Sequence, residues 1–274
     1  MTANEIKDWF ELILRWVHVF AAIMWVGATF YFTWLDGRFT ELEQKAKDDP
    51  NKEPEKFVWM VHSGGFYLVE KQKNPQLLTQ TLHWFKWEAA TTWLTGFMLF
   101  GYMYYGERGL LVNFEDPPLS KHAAMGLSLA MIAVSWIVYD LLWKFCRKDI
   151  LGIIISYALI VVSAYVSCRY LSGRGAYLQL GAMFGTIMAA NVWMRILPAQ
   201  RRMVAALRAG TLPNLDEGAQ AKKRSKHNTF IVIPVVFIMI SNHYPSTYGS
   251  PKNWIILSVI VLVGWVAAKI IRRA

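Results

Sequence analysis

The chain has 274 residues, a formal net charge of +10, 55% hydrophobic residues and a mean hydropathy of +0.27. The charge does not indicate nucleic acid, because the bases gather between long apolar runs, as in a membrane protein oriented by cytoplasmic Lys and Arg. The two cysteines, Cys146 and Cys168, fall at opposite ends of neighbouring runs, which excludes an internal disulfide, and the absence of a CxxCH string excludes a c-type haem attached to this chain.

Continuous apolar runs of about 18 residues or more predict membrane-spanning helices, since lipid leaves backbone groups no partner outside the segment. The first run is 12–34. The stretch before it (MTANEIKDWFELILRW) mixes acids and bases without a small-residue cleavage site, so the first span is expected to be retained. Segment 35–83 is polar in its first half. Its second half, FVWMVHSGGFYLV, is apolar but short and broken by Gly64-Gly65, and reads as a re-entrant or interfacial piece or a strand pair. Further spans are expected at 84–105, 122–143, 150–171, 176–197, 228–243 and 253–271; the sixth is short and holds Pro234, which predicts a kink or a partly irregular end. The expected fold class is all-α: one integral membrane domain over 1–274, a polytopic transmembrane helix bundle of about seven spans with a long cytoplasmic segment between the first two. No internal repeat is found.

Loop charge sets the expected orientation. KFCRKD at 144–149, the 198–227 loop with Arg201, Arg202, Arg208, Lys222, Lys223, Arg224 and Lys226, and the KIIRR tail are expected on the cytoplasmic side. Alternation then puts the N-terminus outside and the C-terminus in the cytoplasm. Arg169 and Arg174 near an outer turn oppose this reading and are outnumbered. The basic loop could also hold anionic membrane lipid.

Ionisable groups in spans are costly and are functional candidates. On this orientation His18, His122 and His243 lie toward the outer face, and His62, His83 and His227 toward the cytoplasm. His18 and Asp36, like His122 and Asp140, are eighteen residues apart, which puts each pair on one helix face about 27 Å apart. LHWFKWEAATTW opens the second span with unusual charge: Glu88, Thr91, Thr92 and Thr95 share a helix side, as do His83 and Trp87. With Asp36, Asp140, Asn191 and Arg195, and with His227 and Asn228 at the rim, they are expected to border a cytoplasmic polar cavity in which Arg195 suits an anionic ligand. The three outer histidines are candidate ligands of haem iron. Each feature has a plainer reading. Trp84 and Trp87 suit an interfacial belt, Lys86 snorkelling, Glu88 an ion pair with Arg195 or Lys86, and Asp140 with Arg195 a packing ion pair. A lone His suits an interhelical hydrogen bond, and His62 an inconsequential loop.

The strings HSGGFYLVEK, LHWFKWEAATTWLTGF, QRRMVAALRAG and RSKHNTFIVIPVVFIMISNHYP resemble the membrane domain of the PuuD-type urate hydroxylases, also called the urate oxidase N-terminal domain. The likeness runs from RWVHVFAAIMWVGATFYF to NWIILSVIVLVGW. It implies oxidation of urate to 5-hydroxyisourate with water supplying the oxygen, electrons passed to cytochrome c, and a bacterial inner membrane location. Family members of the characterised type add a final span and a fused periplasmic cytochrome c domain. This chain stops after KIIRRA, so a separate cytochrome c or another acceptor is expected as partner. The family's HGGGFY-like string reads HSGGFY here, with Ser63 at a glycine position. The spacing of His18, Trp25 and Gly27 also resembles haem-associated membrane families of the CopD and HemJ types.

The mechanism expected from these residues binds urate through Arg195, Asn191, Asn228, His62 and His227, stacks it on Trp84 or Trp87, and uses Glu88 or Asp140 as general base, with His83 nearby. Electrons leave through haem b on two of His18, His122 and His243. Two other readings stand beside it: a b-haem electron-transfer membrane subunit without a substrate site, and a urate or purine transporter.

Overall fold

The computed structural model describes residues 2–48, 56–72, 75, 81–106, 110–112 and 118–272. Parts of the predicted 35–83 segment (49–55, 73–74, 76–80) and of the loop before the third span (107–109, 113–117) lie outside the described residues.

Helix α1 (Ala3–Asp48) has 46 residues. At 1.5 Å per residue it is about 69 Å long, more than twice a bilayer core of about 30 Å. The run 12–34 is therefore its apolar part, and the polar residues 35–48 continue the same helix beyond it. Arg38 and Glu41 pair at i,i+3 on that extension, 2.8 Å apart. The apolar half of the 35–83 segment is a strand pair, β1 (Phe57–His62) and β2 (Gly65–Glu70), antiparallel and closed by Ser63 and Gly64 at positive φ. This hairpin is the one departure from all-helical structure among the described residues.

Helix α2 (Trp87–Phe100) passes into a π-helical turn, Gly101–Tyr105. α3 (Lys121–Phe145) is capped by Ser120, whose hydroxyl accepts from the Ala123 amide. α4 (Asp149–Tyr170) follows, then α5 (Gly173–Ala190), capped by Ser172. α5 runs through a second π turn, Asn191–Ile196, into α6 (Leu197–Arg208), with Pro198 in the first turn of α6. A proline there has no N–H to donate, and the widened turn before it accommodates the loss. α7 (Leu215–Ser241) starts at an Asn214 cap with Asp216 and Glu217 in its first turn. It does not begin near 228 as the apolar run predicts, and it continues through Pro234. A short α8 (Pro245–Tyr248) leads to α9 (Asn253–Ile271).

Among the described residues, five helices are long and apolar enough to cross a membrane: Asn4–Asp48, Lys121–Phe145, Asp149–Tyr170, Gly173–Arg208 and Asn253–Ile271. The bundle is built around α5, which packs on α2, α3, α4 and α7 and buries Tyr177, Gln179 and Leu180 completely. Outward-facing apolar residues such as Ile150, Val162, Val263 and Val266 are more than half exposed, a surface suited to lipid rather than water. α7 meets α9 where Gly264 faces Pro234; a Cβ on Gly264 would lie 2.7 Å from the proline ring. Cys146 and Cys168 are both free thiols.

Candidate functional site

Three chain segments converge where α3 ends and α7 enters the bundle. α3 supplies Tyr139 and Asp140, the π turn after α5 supplies Asn191 and Arg195, and α7 supplies Arg224, His227 and Asn228. The last three share one face of α7, since residues three and four apart are neighbours on a helix.

Asp140 is the centre. Its side chain is only 10% exposed and accepts from Arg195 Nε at 2.8 Å, from Arg195 Nη2, and from Arg224 Nη2 at 2.9 Å. Arg224 Nη2 also reaches the Asp140 carbonyl at 3.2 Å. Arg224 is as buried as its partner, at 9% side-chain exposure, whereas Arg195 at 42% forms the open rim. Two guanidiniums face one carboxylate, so the triad keeps one net positive charge.

A layer of neutral groups lies beside it. Asn191 Nδ2 donates to the Tyr139 hydroxyl and to Asn228 Oδ1, both at 2.9 Å, and Asn228 Nδ2 donates to the Met188 carbonyl at 3.0 Å. The Tyr139 hydroxyl and His227 Nδ1 are hydrogen-bonded, 2.8 Å apart. The Arg224 guanidinium stacks over the Tyr139 ring at 5.0 Å. The His227 ring lies 4.2 Å from that of Trp143, on which Lys223 rests at 4.8 Å. Two buried polar atoms in this network have no protein partner among the described residues: Arg224 Nη1, a donor, and Asn191 Oδ1, an acceptor. Leaving such groups unpaired costs about 1–3 kcal/mol each, so they are the points at which a polar ligand would gain most.

Asp140, Arg195, Asn191, His227 and Asn228 are thus brought together, as the sequence leads one to expect. The other candidates lie elsewhere. His62 is exposed at the hairpin turn, its Nδ1 2.9 Å from Ser63 Oγ. His83 is exposed in the segment before α2, and Glu88 is half-buried in the first turn of α2. Trp84 packs with Ala89, Val192 and Leu197, and Trp87 meets Trp193 edge-on at 5.9 Å. The two tryptophans therefore touch the π turn that carries Asn191 and Arg195, through its apolar residues. Asp36 forms its own cluster, with Lys71 at 2.9 Å and Lys222 at 2.8 Å, beside a cavity of about 300 Å³ lined by Thr33, Trp34, Thr40 and Arg272. Asp36 lies beyond the apolar run of α1. Burial there pushes its carboxyl up, but the hydrogen bonds and charges of Lys222 and Lys71 outweigh this and hold it below the usual carboxylate range.

Both eighteen-residue pairs fall on single helices, His18 with Asp36 on α1 and His122 with Asp140 on α3. His18 Nδ1 lies 2.9 Å from the Thr92 carbonyl and 3.2 Å from Thr95 Oγ1, so the threonine stripe of α2 faces His18 and not the Asp140 network. Gly96 leaves the room for this ring: a Cβ there would lie 2.7 Å from His18 Cε1. A carbonyl partner on Nδ1 leaves Nε2 with a lone pair, the arrangement in which histidine ligates a metal. Were a haem bound, His18 Nε2 would be the atom free to hold its iron. His122 and His243 are exposed, and no three His, Cys or carboxylate groups gather as a metal site among the described residues.

The sequence reading missed Tyr139 and Arg224. It also missed a buried trio in which Ser128 bonds Gln179, with Tyr105 at 2.7 Å from Ser128 Oγ.

A sequence model of the family described as urate oxidase N-terminal matches residues 4–273. The chain belongs to the urate oxidase N-terminal family. No curated protein and no solved structure matches the chain. In this member of the urate oxidase N-terminal family, a urate-related function meets a buried site of net positive charge, formed by residues from three parts of the helical bundle.

Proposed function

We propose that the protein is a membrane-bound urate hydroxylase that oxidises urate to 5-hydroxyisourate and passes the electrons to cytochrome c. What carries this reading is the buried Asp140–Arg224 pair with Arg195 at its open rim, beside the unpartnered Arg224 Nη1 and Asn191 Oδ1, in a chain of the urate oxidase N-terminal family. Urate at neutral pH is a planar monoanion edged with ring N–H and C=O groups. Its charge matches the excess positive charge of the triad. A ring carbonyl would accept from Arg224 Nη1 and a ring N–H would donate to Asn191 Oδ1, relieving both unpaired atoms. Arg195, at the open rim, suits the first encounter with the anion.

Of the two carboxylates predicted as bases, Asp140 is engaged by both guanidiniums, so its proposed role is to aim them. Glu88 sits one helix away, in the first turn of α2. His227, hydrogen-bonded to Tyr139, is held neutral because burial and the Arg224 and Lys223 charges push its pKa down to about 3, so it suits a hydrogen bond to the substrate rather than proton uptake. Overall, the urate monoanion and water give neutral 5-hydroxyisourate, one proton and two electrons, and two ferric cytochrome c molecules take one electron each. Haem b, held through His18 Nε2, would supply one-electron acceptance when bound.

We also infer seven spans. Trp87–Tyr105 and the apolar half of α7 join the five longer helices, with the N-terminus outside a bacterial inner membrane and the Asp140 network toward the cytoplasm.

The test uses the purified protein in phospholipid, without oxygen. Urate should reduce added cytochrome c and yield 5-hydroxyisourate, and Arg224→Ala should abolish both while the protein stays folded by circular dichroism. The reading is overturned if wild-type protein neither binds nor oxidises urate. A haem absorbance that dithionite reduces and urate does not would favour the electron-transfer subunit. Uptake of urate into vesicles without oxidation would favour the transporter.

A further inference from the structure

The hairpin has two apolar faces, and no described residue covers one of them. Successive strand residues point to opposite sides. On one side Val58, Met60 and Val69 pack against Leu35, Phe39 and Leu42 of α1. On the other, the register sets Trp59 opposite Leu68 and Val61 opposite Phe66. These four side chains are 69%, 48%, 70% and 78% exposed. Four large apolar groups on one small face would be an aggregation hazard in water.

The direction of the hairpin says what lies against that face. Lys71, just past β2, reaches Asp36 at 2.9 Å and sits over the Phe39 ring at 5.9 Å. Met60, whose cross-strand partner is Tyr67, takes a hydrogen bond from Tyr31 at 3.6 Å. The contacts thus step back along α1, from Phe39 to Tyr31, as the strands approach their turn. β1 therefore runs antiparallel to α1, and Tyr31 already lies inside the apolar run 12–34. At about 3.3 Å per strand residue, His62 and Gly65 lie roughly 7 Å further still, level with about one more helical turn of that run. The open end holds Lys56, Glu70, Lys71 and Gln72, all polar and exposed. Beside the hairpin, Tyr31, Phe32 and Trp34 are each more than 40% exposed, and Phe85, 60% exposed, meets the Phe32 ring edge-on at 4.9 Å.

We propose that the face formed by Trp59, Val61, Phe66 and Leu68 lies in phospholipid, at the headgroup–acyl boundary of the leaflet from which the polar end of α1 emerges. It continues the exposed aromatic band of α1 at the same level, and interfacial aromatics are characteristic of that depth. The open strand edges carry backbone groups that hydrocarbon cannot satisfy, so the hairpin lies against the boundary, about 5–10 Å deep, and does not cross. His62 and Ser63 bond one another at the turn, which suits the same shallow position. The proposal does not depend on the reading of the Asp140 network.

The test is nitroxide accessibility in the full chain, reconstituted in phospholipid nanodiscs after Cys146→Ser and Cys168→Ser. Labels are placed by Phe66→Cys, Leu68→Cys and, at the polar open end, Glu70→Cys. Phe66 is the most exposed of the four, so its label displaces no packing; Val61→Cys is the substitute if a variant fails to reconstitute. The labels at 66 and 68 should collide with oxygen and be shielded from a water-soluble nickel chelate, whereas the label at 70 should be open to the chelate. Equal chelate access at 66 and 70 would place the face in water and overturn the proposal. Exclusion of both relaxants, with dipolar broadening between labels, would overturn it in favour of a second copy of the chain.

Discussion

Replacing Asp140 by Asn should be the most damaging single polar substitution in the bundle. The change keeps the shape of the side chain and removes one charge. What remains is two guanidiniums with no counter-charge between them, one of them, Arg224, with only 9% of its side chain exposed. Breaking a buried pair in this way typically costs about 3–5 kcal/mol, because the orphaned ion keeps its desolvation penalty. At about 1.4 kcal/mol per tenfold, that is roughly two to three and a half orders of magnitude in the folded-to-unfolded ratio. Arg195→Ala is the internal control. Its side chain is 42% exposed, water screens it, and Asp140 keeps Arg224, so a cost of only about 1 kcal/mol is expected. Equilibrium unfolding in mixed micelles, followed by circular dichroism as the fraction of dodecyl sulfate rises, ranks the two. The double replacement Asp140→Leu with Arg224→Met removes both buried charges and should recover most of the lost stability. If Asp140→Asn costs no more than Arg195→Ala, or the double replacement recovers nothing, the buried triad is not the electrostatic centre described above.

Four further outcomes follow from local geometry. Gly264→Ala drives a Cβ to 2.7 Å from Pro234 Cδ and 3.0 Å from its backbone nitrogen, neither of which can turn aside, so α7 and α9 should separate at a cost of about 1–3 kcal/mol. Gly181→Ala meets only the flexible end of Met239 at 2.8 Å and the methyl of Ile238, and should unfold closer to wild type in the same titration. Gly96→Ala should displace the His18 ring and lower the melting temperature, and any haem absorbance of the purified protein should fall with it; an unchanged spectrum in a protein that carries haem would remove His18 as ligand. Asp36 has a folded-state pKa below its unfolded value, so its pairing with Lys71 and Lys222 contributes fully above about pH 4 and is lost as pH falls through the lowered value. Stability measured across that acid window should drop in wild type and be flatter in Asp36→Asn.

The parts of this molecule that lipid constrains were legible in the sequence, and the parts that water permits were not. α3, α4 and α9 begin and end within two residues of the predicted runs, because a span must be continuously apolar and its flanks need not be. The polar extension of α1 and the first thirteen residues of α7, 215–227, are helices without an apolar run to announce them. For α7 a signal existed: Asn214 followed by Asp216 and Glu217 is a helix start, well upstream of the apolar stretch. Reading that cap would have placed Arg224 one turn before Asn228, on the same face as His227, and so in the site. Counted instead among the orienting bases of a loop, Arg224 was invisible as a buried group. Tyr139 was passed over because an aromatic beside a charged residue near a span end is ordinary. Asp140, Asn191 and Arg195 were found because polar groups at one depth in apolar runs have few places to go other than toward one another. Which partner each would choose was not in the one-dimensional pattern: the threonine stripe of α2 had two polar neighbours at hand, and only the packing of α1 on α2 at Gly96 decides that it faces His18. The same logic separates the two predicted bases. Glu88 and Asp140 are equivalent as letters in a span, but Asp140 lies where the π turn and α7 each direct a guanidinium at it.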